Sequence, residues 1–429
     1  MSKTIISGNS RSLKGEIIPP GDKSISHRAI MIGSLAEGQT NVTGFLNGED
    51  TLSTVNAFRN LGIEINIDGT NIKIEGKGLY GLSKPKTIID AGNSGTTIRL
   101  LTGILSAQDF NSEITGDKYL RTRPMARIID PLAKMGADIT SENSNKLLPL
   151  KIRGRNLKAI KYTPPIPSAQ VKSCLLLAGL FADGTTEITE KIKTRDHTER
   201  MLRYFGVKLD IDSNKISVKK QSQFYGKNLN IPSDISSAAF FIVGALINKG
   251  SEVLIKNIGL NPERTGILEL LEKMGANIEI KNEKIECGEP VGDLVVKYSK
   301  LKGIEIKGDQ IPKSIDELPI ITVAACFAEG QTIIKDAREL RVKETDRIKA
   351  MTTELNKLKA DITETEDGMI INGIKSLKGD KCSSWGDHRI AMSIAIAATR
   401  AEGDTEINDS DCVNISFPEF FKYLKKLRS

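Results

Sequence analysis

Aromatic residues are scarce in this 429-residue chain: they make up 5% of it, with one tryptophan. That scarcity argues against a base-stacking platform for nucleic acid. The five cysteines, Cys174, Cys287, Cys326, Cys382 and Cys412, show no paired spacing, so neither a disulfide framework nor a cysteine–zinc cluster is expected, and they read as reduced structural thiols. The three histidines, His27, His197 and His388, lack ligand spacing, and no metal site or cofactor is expected. No apolar run reaches the length of a membrane span, and Met-Ser-Lys-Thr-Ile-Ile-Ser at the start has no signal-peptide core, so the expectation is a cytoplasmic protein. A Walker loop, a dinucleotide fingerprint and a nucleophile–base pair are all missing. The net charge of +7 is spread among 54 acidic residues, which fits a small polyanionic substrate held in one cleft better than a nucleic-acid strip.

What the chain does have is an internal repeat. An alanine- and leucine-rich helix, a Gly-containing turn and a Thr/Ile/Val strand recur over 28–42, 97–114, 171–188, 237–255, 317–334 and 389–407. Successive turn glycines lie roughly 65 to 80 residues apart, and each suits a left-handed helix C-cap. A second helix follows in most copies, then a second turn, at Gly62, Gly136, Gly206, Gly275 and, in the fifth copy, Lys359-Ala360. The first helix of each copy is nearly apolar all round, so it belongs inside a lobe with sheets outside it. Two lobes of three repeats are expected: 20–227, and 228–429 together with 1–19, whose strand precedes the first repeat. A cleft between two lobes is the usual home of a small-molecule site.

The loops entering the first helices carry the chemistry. Pro20-Gly21-Asp22-Lys23-Ser24-Ile25-Ser26-His27-Arg28 puts two cations and a hydroxyl at a helix start, a suitable seat for phosphate or carboxylate. Asp90-Ala91-Gly92-Asn93-Ser94-Gly95-Thr96-Thr97-Ile98-Arg99 allows close backbone approach. Arg123 and Arg195 stand in later loops, Ser168, Ala169 and Gln170 offer neutral donors, and Asp316-Glu317 precedes an apolar helix that Asp316 could simply cap. Arg341-Val342-Lys343-Glu344-Thr345-Asp346-Arg347 is followed by Ile348, Met351, Leu355 and Leu358 at helical spacing. The stretch therefore reads as the opening of a helix with Lys343 and Arg347 on one face, a like-charge pair that an anion would relieve. Glu344 between them could be tuned for proton transfer. Lys23, Arg28, Arg123, Arg195, Lys343, Arg347 and Arg389 form one set of cations, and acid–base chemistry by Glu344, Asp316 and Lys23 is what the residues support.

The stretches 20–28, 92–99, 341–347 and Asp387-His388-Arg389 resemble the 5-enolpyruvylshikimate-3-phosphate synthases, in order and over nearly the whole chain. The resemblance implies a two-lobed inside-out α/β barrel, the enolpyruvyl transferase fold, with six βαβαββ-like units, three per lobe. It implies a transferase that moves the enolpyruvyl group of phosphoenolpyruvate to the 5-hydroxyl of shikimate 3-phosphate by addition and elimination, without metal or organic cofactor, as a monomer. Carried over by motif, Lys23, Ser24, Arg28, Ser168, Ala169, Gln170, Arg195, Asp316 and Lys343 would hold shikimate 3-phosphate. Lys23, Gly95, Arg123, Gln170, Arg347 and Arg389 would hold phosphoenolpyruvate. Asp316 would accept the hydroxyl proton, and Glu344 with Lys23 would handle the proton of the methylene carbon.

The chain departs from many family members at Ile415, where they have Lys, at Glu339, where they have Asn, at Leu100, where they often have Pro, and at Ala169, where they have Ser. Together these departures resemble the family's second sequence class. Gly95 leaves room for glyphosate. Two alternatives are a UDP-N-acetylglucosamine enolpyruvyl transferase, whose catalytic-loop Cys has no counterpart over 109–124, and a non-catalytic repeat protein that binds polyanions through salt-sensitive contacts.

Overall fold

A computed structural model describes residues 2–8, 12–141 and 146–428. By its contacts the chain divides into two compact units. The first is Gly21–Ile231 with Glu286–Glu289; the second takes the described residues of 1–20, 232–285 and 290–429. Each has its own apolar core.

The first unit contains α1 (Lys23–Leu35), α2 (Glu49–Asn60), α3 (Gly95–Leu105), α4 (Ala126–Lys134), α5 (Ala169–Gly179) and α6 (His197–Tyr204). The second contains α7 (Ile235–Ile247), α8 (Gly266–Lys273), α9 (Gln310–Ser314), α10 (Leu318–Cys326), α11 (Arg347–Lys357), α12 (His388–Ala398) and α13 (Phe420–Leu427). As their composition requires, the first helices of the repeats are interior: every residue of α7, α10 and α12 is buried, and these three pack on one another. In the first unit α3 packs on α5 through Gly103, where a Cβ would lie 2.4 Å from the Cys174 carbonyl oxygen.

Among the described residues, six four-stranded sheets lie around these helices, three in each unit. Five share one plan. A lead strand runs parallel to the strand after the first helix, and a hairpin then adds two antiparallel strands, as in Ile89–Asp90, Asn111–Thr115, Leu150–Arg153 and Asp138–Ser141. The sixth differs: Ala401–Asn408 pairs in parallel with Leu377–Lys378 and Lys381–Ser383, and in antiparallel with Lys3–Gly8. Two lead strands come from elsewhere in the chain. Lys14–Ile17 lies beside Glu252–Ile255, and Asn228–Asn230 lies beside Asn41–Thr43. The second pairing keeps residues 228–231 in the first unit, so the units part at Ile231/Pro232 rather than at 228.

Two local expectations need correction. The turn glycines after the first helices do have positive φ, for example Gly250 at 80°. They lie two or more residues past the cap, however, and turn the chain into its strand. The left-handed cap appears instead at the second helices, where Gly62, Gly136, Gly206, Gly275 and Lys359 each directly follow the C-cap. At Gly62 its N–H bonds to the Arg59 carbonyl and that of Ile63 to the Phe58 carbonyl, the paired closure of a Schellman turn. The second correction concerns 341–347. Arg338–Val342 is a short 3-10 turn, Lys343 is extended, and α11 begins at Arg347 because Asp346 caps it, accepting from Lys349 N–H at 3.0 Å. Lys343 and Arg347 are therefore not one turn apart on a helix. The apolar positions Ile348, Met351 and Leu355 are buried on α11 as their spacing requires.

Candidate active site

In the first unit the expected residues gather at the N-terminal ends of α1, α3 and α5. Asp22 caps α1, its side chain accepting from Ile25 N–H at 2.9 Å, and this leaves Lys23 and Ser24 in the first turn. The Lys23 ammonium lies 2.9 Å from Asp50 at the start of α2. Arg28, one turn on, is buried; it donates to the Ser24 carbonyl at 2.8 Å, to Thr198 at 2.6 Å and to Ser173 at 2.8 Å. Burial pulls its guanidinium down to about 10. A chain of short side-chain contacts, His27–Thr54–Thr97–Ser94, ties α1, α2 and the start of α3 together.

Ser94 caps α3, so Gly95 is its first residue. A Cβ built on Gly95 would lie 3.0 Å from the Arg99 guanidinium and 3.5 Å from that of Arg123. Arg123 donates to Asn93 at 2.6 Å, and Arg99 donates to Gln170 at 2.5 Å. The Gln170 amide donates in turn to Thr96 at 3.2 Å. Ser168 caps α5, accepting from Val171 N–H, and Ala169 opens that helix. Arg195 is half-buried in the loop before α6.

In the second unit the expected residues converge on Arg347. This side chain is 1% exposed and meets three carboxylates: Asp387 at 2.8 Å, Glu344 at 2.6 Å and Asp316 at 3.4 Å. Burial opposes its charge, but attraction to Asp387, Glu344 and Asp316 outweighs burial, so its pKa lies above the ordinary arginine value. Asp316 does not cap α10; its backbone carbonyl accepts from Arg389 at 2.9 Å and its carboxylate faces Arg347. Arg389 is the second residue of α12, where Asp387 is the cap and accepts from Arg389 N–H at 2.8 Å. Burial pulls the half-buried Lys343 below the ordinary lysine value, against attraction to Asp316. Ile415 is half-buried at the end of a 3-10 turn.

Sequence reasoning missed several groups. Asp387 stands in the sequence only as part of the Asp-His-Arg motif, yet it fixes both Arg347 and the helix start that carries Arg389. Arg99 likewise ends a motif with no role of its own in the sequence. Its place between Ile98 and Leu100 on α3 gives no hint of Gln170, which is 71 residues away. Among the described residues, no group of three or more His, Cys, Asp and Glu side chains could hold a metal ion, all five cysteines are free, and no helix is long and apolar enough to cross a membrane.

The arrangement offers two cation-rich sets, one in each unit, and in the second Asp316 and Glu344 lie beside the Arg347 guanidinium. Comparison with known proteins bears on which ligand. A family model described as EPSP synthase (3-phosphoshikimate 1-carboxyvinyltransferase) matches residues 8–424. The chain is 54% identical over 417 residues to a 3-phosphoshikimate 1-carboxyvinyltransferase of Geotalea uraniireducens, covering 97% of each. It is 53% identical over 412 residues to that of a Thermoanaerobacter species, covering 96% of this chain and 97% of the other. An EPSP synthase structure from Acinetobacter baumannii superposes with a TM-score of 0.90 at 47% identity, covering 99% of this chain and 98% of that one.

Proposed function

We propose which of the residues described above hold each substrate of this chain, which belongs to the EPSP synthase family and transfers the enolpyruvyl group of phosphoenolpyruvate to shikimate 3-phosphate. Lys23, Ser24, Arg28, Ser168, Ala169, Gln170, Arg195, Asp316 and Lys343 hold the phosphorylated acceptor. Lys23, Gly95, Arg123, Gln170, Arg347 and Arg389 hold phosphoenolpyruvate. The observation that carries this assignment is the convergence of Asp316, Glu344 and Arg389 around the buried Arg347.

The chemistry then follows from those groups. The acceptor's 5-oxygen attacks C2 of phosphoenolpyruvate while Asp316 takes the hydroxyl proton and Glu344 delivers a proton to C3. The C2–oxygen bond to phosphate then breaks as Glu344, now a carboxylate, removes a proton from the new methyl group. The cations stabilise charge on the departing phosphate. Glu344 lies 2.6 Å from the Arg347 guanidinium. An anionic donor substrate competes for that guanidinium and so releases Glu344 to carry a proton. The enzyme works as a cytoplasmic monomer in this reading.

The test is phosphate release from phosphoenolpyruvate with shikimate 3-phosphate as acceptor and UDP-N-acetylglucosamine in parallel, the product identified by mass. Release with the former alone, lost in Lys23→Ala and Glu344→Ala, is the expected result. Release with the latter alone would reassign the acceptor.

A further inference from the structure

Beside the acceptor-side residues of the first unit, three charged side chains with no role so far meet almost out of reach of solvent. Lys172 in α5 is 1% exposed, Glu190 in the loop after Thr185–Thr189 is 7%, and Glu199 in α6 is 2%. The Lys172 ammonium is 3.0 Å from Glu190, 2.7 Å from Glu199 and 3.0 Å from the Thr194 carbonyl oxygen. Glu190 grips the same residue from the other side, accepting from the Thr194 N–H at 3.1 Å and from its hydroxyl at 2.5 Å. The backbone of Glu190 is itself fixed, donating to the Asn214 carbonyl at 2.8 Å and accepting from the Asn214 amide at 3.0 Å.

Thr194 is thus clamped on both faces, and the next residue is Arg195. On its other flank the cluster adjoins Arg28, because Ser173 follows Lys172 and Thr198 precedes Glu199, and both hydroxyls accept from Arg28. For stability alone such a triad is a poor use of the interior, since well-packed apolar side chains of similar volume commonly serve as well or better. Its distinctive product is geometry: the peptide before one acceptor cation and the two hydroxyls around another are set by the same three charges.

We propose that Lys172, Glu190 and Glu199 form a positioning device that presents Arg195 and Arg28 to the anionic acceptor substrate. This rests on the reading above that these two arginines hold shikimate 3-phosphate. It assigns the triad to acceptor recognition and leaves the donor side to other groups. The triad touches no substrate itself.

The experiment compares wild type, Arg195→Ala, Lys172→Met and Glu190→Gln by steady-state kinetics and thermal unfolding. Lys172→Met is expected to raise KM for shikimate 3-phosphate by about tenfold, in the same direction as Arg195→Ala, with KM for phosphoenolpyruvate changed less than about twofold. Glu190→Gln keeps an oxygen for Thr194 and removes one charge; it is expected to give a smaller shift of the same kind, and it supplies the comparison if Lys172→Met does not fold. A lower melting temperature with the acceptor KM unchanged in the folded variants, or both KM values rising equally, would overturn the proposal. If Arg195→Ala itself leaves the acceptor KM unchanged, the functional reading of Arg195 fails first, and that outcome is visible without the triad variants.

Discussion

Gly95 opens α3 with the Arg99 and Arg123 guanidinium groups within 3.0 and 3.5 Å of where a Cβ would stand. A methyl group there meets the far ends of flexible side chains, so it displaces cations rather than backbone. Gly95→Ala is therefore expected to fold, to raise KM for phosphoenolpyruvate modestly and to weaken glyphosate inhibition more; equal losses measured side by side would count against this. His27 makes a separate prediction. Burial pulls its imidazole down to about 3 while Nδ1 sits 2.6 Å from the Thr54 hydroxyl. Above the unfolded value near 6.5 neither state is protonated and stability is full. As pH falls below that value the unfolded chain takes a proton that the native state refuses, and stability drains down to about pH 3, by up to about 1.4 kcal/mol per pH unit. His27→Gln is expected to flatten the fall in melting temperature between pH 6.5 and 5; identical slopes would clear His27 of the effect. At this scale the sequence was a good guide to residue types and a poor one to partners. Lys23, Arg28 and Gly95 stood out because a helix start behind a turn advertises an anion seat. Asp387, Lys172 and Glu199 did not, because a buried carboxylate or ammonium is defined by what it meets, and those partners lie up to 40 positions away.

Five second helices close with the same left-handed turn, and four of them use glycine for it. The fifth uses Lys359 at φ 67°, with Lys359 N–H bonded to the Asn356 carbonyl and Ala360 N–H to that of Leu355. A side chain in that conformation costs about 1 kcal/mol relative to glycine. Lys359→Gly should accordingly raise the melting temperature of the second unit by about 2–4 °C. Gly136→Ala should lower that of the first by a similar amount, since nothing lies within 4 Å of the added methyl and the cost is conformational alone. Calorimetric scans of the two variants test both signs. The repeat itself was legible because each copy needs the same apolar helix and the same turn. The start of α11 was not, because the register of charged residues at 341–347 fits a helix well. What prevents it is tertiary: Arg341 is drawn away to Glu364 and to the carbonyls of Thr365 and Glu366, and Asp346 supplies the cap.

Across the whole molecule, the second unit is completed by the beginning of the chain. Lys3–Gly8 forms an edge of the sheet built on Ala401–Asn408, with Lys3 opposite Asn408, and Lys14–Ile17 lies beside Glu252–Ile255. Arg428 reaches the Ser7 carbonyl at 2.5 Å, and Tyr423 reaches that of Ile18 at 3.1 Å, so the C-terminal helix fastens the same segment. Removing residues 1–8 exposes the Ala401–Asn408 edge. The expected result is faster hydrogen exchange there, with Glu37–Thr43 in the first unit unchanged; uniform loss of protection would contradict two separately cored units. No local pattern could have announced a pairing between residues 3 and 408, which is set by topology alone. That pairing also has a bearing on synthesis. At a ribosomal pace of about 5–20 residues per second, Lys3–Gly8 waits on the order of 20–80 s for the strand it will pair with. During translation, this is the stretch a holding chaperone would have most reason to shelter.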